Sequence, residues 1–185
     1  MSTTKQIHQP IIDQCKKNSA KAQMQLYNLY CKGMFLVALR YVKDKHIAED
    51  VMQEAFIKAF KKIHLYKGKV AFGAWLKRIV INQSIDQLKK KKLELVAINE
   101  EIYTIKNDED WQVESTISLD TIVKTIKNLK EKYRLVLTLY LLEGYDHKEI
   151  SEILGITAVA SRTNLLRGKK LLKEQLKSKR YAEGY

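Results

Sequence analysis

The chain has 185 residues with 34 Lys and Arg against 21 Asp and Glu, a formal charge of +13, and 45% hydrophobic content. The cation excess points to a polyanionic partner, although it also suits solubility or an anionic membrane surface, and the hydrophobic share excludes a disordered chain. One proline and seven glycines leave helical patterns uninterrupted and little to build a sheet, which predicts an all-α protein of two small helical domains joined by a linker.

Residues 1–20 are polar and read as an N-terminal extension, loosely ordered at its start. Met24, Leu26, Tyr27, Leu29, Tyr30, Met34, Phe35, Val37, Ala38 and Tyr41 then recur at helical spacing and open a domain over residues 21–92. Asp44 is a candidate N-cap for a helix whose core stripe is Ala48, Val51, Met52, Ala55, Phe56, Ala59, Phe60 and Ile63. Its other face carries Asp50, Gln53, Glu54 and Ile57. A charged helix face is commonly just solvated, but acid on a basic chain repels DNA and suits a protein partner with basic residues.

His64 to Ala71 (HLYKGKVA) interrupts the periodicity, and Gly68 between Lys67 and Lys69 makes it a basic loop able to hold phosphates. The next helix, Phe72 to Lys92, turns Phe72, Trp75, Leu76, Ile79 and Val80 to the core and exposes Arg78, Asn82, Lys89 and Lys90. Cations with a bidentate amide are what phosphate and base recognition use, although lysines at a helix C-terminus also serve the macrodipole.

Residues 93–118 turn acidic and weakly periodic, at Asn99 to Glu101 and Asn107 to Trp111, and read as a linker. A second domain over residues 119–176 opens with a helix from Leu119 to Lys127, followed by one that points Leu135, Val136, Leu139, Tyr140 and Leu142 inward up to Gly144. Asp146 and Glu149 have capping-box spacing before Ile150, Ile153 and Leu154. Gly155-Ile156-Thr157 is a turn, and the following helix offers Arg162, Thr163, Asn164 and Arg167 as exposed polar residues where a recognition helix meets base edges. A plain helical hairpin has the same outline. Residues 177–185 form a C-terminal tail.

Cys15 and Cys31 lack metal-ligand spacing and the four histidines are scattered, so no metal or cofactor is expected. No apolar run approaches the ~20 residues needed to span a bilayer, and no signal-peptide pattern is present. Those readings predict a cytoplasmic protein with no membrane insertion.

The chain resembles the extracytoplasmic-function (ECF) group of sigma-70-family sigma factors. The resemblance rests on AEDVMQEAFIKAFKKI (Ala48 to Ile63) and FGAWLKRIVINQSIDQLKKKK (Phe72 to Lys92) for region two, and on LEGYDHKEISEILGIT (Leu142 to Thr157) and SRTNLLRGKKLL (Ser161 to Leu172) for region four. It implies a non-enzymatic factor that binds core RNA polymerase through Asp50, Gln53, Glu54 and Ile57. It further implies that Lys67, Gly68, Lys69, Arg78, Asn82, Lys89 and Lys90 hold the minus-10 element as single strand, while Arg162, Thr163, Asn164 and Arg167 read the minus-35 element in duplex promoter DNA. An anti-sigma factor is a further partner that the resemblance leaves open. The sequence departs from the family pattern at Val159 and Ala160, where glycine and threonine are frequent, and at Lys130, where proline often stands. A helix-turn-helix repressor or activator with residues 20–92 as dimerisation or sensor domain is the alternative; a nucleic-acid enzyme lacks a convincing nucleophile, metal cluster or phosphate-binding glycine loop.

Overall fold

The computed structural model describes residues 7–93 and 117–182, and among these every regular element is a helix. The chain divides into two compact units, Met1–Ile98 and Asn99–Tyr185.

In the first unit, α1 (Gln9–Lys16) precedes α2 (Ala20–Val42), α3 (Lys45–Lys61), a short 3-10 turn (Ile63–Leu65) and α4 (Phe72–Leu93). Helices α2, α3 and α4 pack on one another pairwise, and α1 lies against α2 and the 3-10 turn. The caps are side chains: Ser19 Oγ accepts from Ala22 N at 3.3 Å and Asp44 Oδ1 from Ile47 N at 3.0 Å, each satisfying a donor the helix start leaves open. The α3 stripe is buried from Ala48 to Ala59, with Phe60 half-buried. On α2 Leu26 is buried as the spacing predicts, but Met24 and Leu29 are exposed, and Ala22, one turn before Leu26, faces the core.

The stretch expected to be a polar extension contains α1. Pro10 at the start of the helix has no N–H to lose there, and Ile12 and Cys15, three residues apart, are fully buried. Burying one such isoleucine contributes about 1.5–3 kcal/mol toward holding this short helix in place.

In the second unit, α5 (Leu119–Asn128) and α6 (Glu131–Leu137) lead through a wide turn (Thr138–Leu142) to α7 (His147–Leu154) and α8 (Ala158–Ala182). Helices α5, α6 and α7 all pack on α8. Tyr140 and Leu142, expected inside, are exposed and half-buried respectively, while Thr138 is buried. The cause is local: Glu143 N donates to Thr138 O, five residues back, so the turn holds one residue more than an α-helical one and the register rotates. The capping box is complete, with Glu149 N on Asp146 Oδ1 at 2.8 Å and Asp146 N on Glu149 Oε2 at 3.1 Å. Gly155 then turns the chain at φ +70°, a left-handed conformation that glycine adopts without steric cost. Trp111 and nearly all of the acidic stretch read as a linker lie outside the described residues.

Candidate nucleic-acid interface

Asp50, Gln53, Glu54 and Ile57 stand three, four and seven residues apart on α3 and are all exposed, Ile57 at 54%. That spacing puts them on one helix face. Glu54 also turns toward α4, where the Gln83 amide donates to its carboxylate and accepts from the Lys58 ammonium. Gln83 is buried, so its amide needs those partners. Nothing in the charge pattern singled it out. Its signal is register: Gln83 lies seven residues after Leu76 and three after Val80, a polar residue in line with the apolar stripe.

Between α3 and α4 the loop exposes Lys67 and Lys69, with Gly68 at φ +71° between them. Tyr66 closes it from within, its buried ring lying 5.5 Å from Phe72 and 5.3 Å from Trp75 and its hydroxyl donating to Val70 O at 2.6 Å. Burial, with the neighbouring Tyr30 phenol second, pushes the Tyr66 phenol up, so it remains a protonated donor. Leu65 and Val70, which the sequence did not mark, are exposed on this basic loop at 57% and 51%. On α4, Arg78, Asn82 and Lys89 are exposed and fall on one face, with Lys90 beside it and Asp86 an acid among them. Ile79 is half-buried where a core position was expected; Phe72, Leu76, Val80, Ile81 and Ile85 carry the packing.

The second unit holds a helix-turn-helix. Thr157 Oγ1 accepts from Ala160 N at 3.0 Å and starts α8. Of the four residues expected there, Arg162 is exposed, whereas Thr163, Asn164 and Arg167 are half-buried. At 100° per residue, Thr163 and Arg167 share a face with Val159 and Lys170, while Arg162 and Asn164 lie on opposite flanks of it. Val159 and Lys170 are both exposed, Val159 at 66%.

Behind that face a polar contact ties the two helices together. His147 Nδ1 and the buried Ser161 Oγ are 2.9 Å apart, the imidazole stacks on Tyr140 at 5.0 Å, and Lys169 Nζ lies 5.8 Å from the Tyr140 ring centre. Burial, then the Arg162 and Lys169 charges, push His147 down, opposed by Asp146. The outward Tyr140 thus stands between His147 of α7 and Lys169 of α8.

Among the described residues no helix is long and apolar enough to cross a membrane, and no group of three or more His, Cys, Asp or Glu could hold a metal ion.

Two family models match the chain: "Sigma-70 region 2" over residues 26–94 and "Sigma-70, region 4" over residues 119–172. The ECF RNA polymerase sigma factor SigW of Bacillus subtilis is 32% identical, covering 90% of this chain and 95% of its own length. SigM of the same organism is 30% identical over 80% of this chain and 91% of its own. Among solved structures, the sigma factor RpoE in complex with the anti-sigma factor NepR from Bartonella quintana is similar in fold, with TM-score 0.53 at 21% identity over 83% of this chain and 96% of that one. CnrH in complex with the cytosolic domain of CnrY has TM-score 0.52 at 20% identity over 91% and 96%.

Proposed function

The chain belongs to the ECF group of the sigma-70 family of RNA polymerase sigma factors, and from that premise we propose which of its surfaces meets which partner. The family is non-enzymatic: its members bind core RNA polymerase and promoter DNA in transcription initiation. In this chain the outer face of α3, with Asp50, Gln53, Glu54 and Ile57, docks on polymerase. The loop residues Lys67, Gly68 and Lys69, with Arg78, Asn82, Lys89 and Lys90, hold the minus-10 element as single strand. The α8 residues Arg162, Thr163, Asn164 and Arg167 read the minus-35 element in the major groove. The working units are residues 21–92 and 119–176, and the site of action is the cytoplasm. An anti-sigma factor is a further partner in this reading, supported by RpoE being captured with one.

The observation that carries the assignment is the prevailing sign of two surfaces in the first unit, acid at Asp50 and Glu54 on α3 with Lys61 at the end of that face, and cation on the loop and α4 with Asp86 the acid among them. The α3 face exposes carboxylates around a half-exposed isoleucine, while the loop and α4 expose Lys67, Lys69, Arg78, Lys89 and Lys90. Acid beside an apolar side chain suits a basic protein surface. Clustered cations suit the phosphates of a strand.

The test is reconstitution with bacterial core RNA polymerase, read by association and by promoter-dependent transcripts. Asn82→Ala should keep polymerase binding and reduce strand opening, measured by permanganate reactivity of unpaired thymines. If the protein neither associates with polymerase nor directs initiation, and instead binds a palindromic duplex tightly as a dimer, the proposal is wrong.

A further inference from the structure

Helix α1 lies outside the residues matched to region two, which begin at 26; its start packs on α2 and its end stands beside the loop between α3 and α4. The His8 ring meets Tyr30 edge-on at 5.8 Å, and Tyr30 in turn packs on Phe72 at 5.4 Å. At its other end Lys16 Nζ stands 5.9 Å from the centre of the Tyr66 ring, within reach of a cation–π attraction. Tyr66 is the residue whose hydroxyl closes the loop on Val70 O. The exit from α1 is equally defined, with Asn18 left-handed at φ +60° and Ser19 capping α2. Lys16 is therefore held beside a loop that itself presents Lys67 and Lys69, and Lys17 follows it at the helix end; both are exposed. The exposed Lys61 and Lys62 immediately precede the 3-10 turn on which α1 packs. The acid on α1, Asp13, is one turn back and accepts from Gln9 Nε2 at 2.8 Å.

We propose that Lys16 and Lys17 form a further nucleic-acid contact, holding phosphates of the same single strand that the loop takes up. A single strand repeats a phosphate and a flat base. The exposed lysines of α1 and the loop offer ammonium groups for the phosphates, and the exposed Leu65 and Val70 offer apolar surface to a base. Lysines on phosphates position a strand without reading its sequence, so the contact adds affinity at any promoter. The inference rests on the reading of the loop as a single-strand site.

The experiment titrates the full-length chain against a fluorescein-labelled single-stranded oligonucleotide over a range of salt, by anisotropy. Each phosphate contact on a single strand contributes about −0.7 to the log–log salt slope, so K16Q/K17Q should make the slope shallower by about 1.4. Loss of a structural brace alone would weaken binding without that change of slope, and Lys16→Arg should keep both affinity and slope. K67Q/K69Q should also flatten the slope. If it does and K16Q/K17Q does not, the α1 contact is refuted; if neither does, the loop reading itself fails. Loss of binding to phosphatidylserine vesicles in K16Q/K17Q with oligonucleotide binding intact would overturn the proposal in favour of a membrane surface.

Discussion

Asp50 and Glu54 stand one turn apart on α3, yet their side chains answer to different demands. Asp50 faces outward, whereas Glu54 also receives the amide of buried Gln83. Asp50→Lys should therefore weaken association with core polymerase while leaving the melting temperature unchanged. Glu54→Lys should weaken association and also strand the Gln83 donor, at a cost of about 1–3 kcal/mol. Thermal melting beside a polymerase pull-down separates the two; equal melting temperatures would mean that the Gln83 contact contributes little. This division could not be read from spacing, which makes the two acids equivalent.

His147 links the stability of the helix-turn-helix to pH. Its folded pKa is held below the ordinary value of about 6.5 by burial first and by Arg162 and Lys169, against Asp146. The fold thus favours the neutral ring. Its contribution is fully present above the unfolded value and is lost as pH falls through the lower folded one. Melting followed from neutral to mildly acidic pH should show the helix-turn-helix losing stability, and His147→Gln should flatten that dependence. An unchanged dependence in the variant would assign the effect to other groups.

Elements were legible wherever their signal is local. Asp44, Asp146, Gly155 and Thr157 do what their residue types and positions predict, because a cap or a left-handed turn is decided within four residues. Tyr140 and Leu142 were misplaced because a wide turn keeps the sequence pattern of a helix while rotating its register. Gly168 stands where α8 packs against Leu137 and Tyr133 of α6. A Cβ there would stand 3.0 Å from Leu137 Cδ1 and 3.1 Å from Leu137 Cγ. Alanine gains about 1 kcal/mol in helix propensity but overpacking costs about 1–3 kcal/mol, so Gly168→Ala should lower the urea midpoint. A raised midpoint would show that Leu137 yields at little cost.

For the whole molecule the formal charge of +13 makes promoter binding an electrostatic event. If about six phosphates are neutralised, the log–log salt slope on duplex promoter DNA should be near −5. Binding by the isolated chain should be weak, since each unit offers a small footprint. A flat salt response would argue against phosphate contacts as the main source of affinity.

The helical class, the α3 core stripe, the caps at Asp44, Asp146 and Thr157, the helix-turn-helix and the resemblance to ECF sigma factors were all legible in the sequence, because periodicity, capping and turn chemistry are written within one or two helical turns. Packing across the chain settled that residues 9–16 form a helix beside the loop, that Gln83 links α3 to α4, and that Thr163, Asn164 and Arg167 of α8 are half-buried while Arg162 is exposed. The first two depend on partners far along the chain, and the third on which side of α8 its neighbours cover. A polar residue in an apolar stripe or a short helix near a terminus declares its purpose only when the packing shows what stands opposite it.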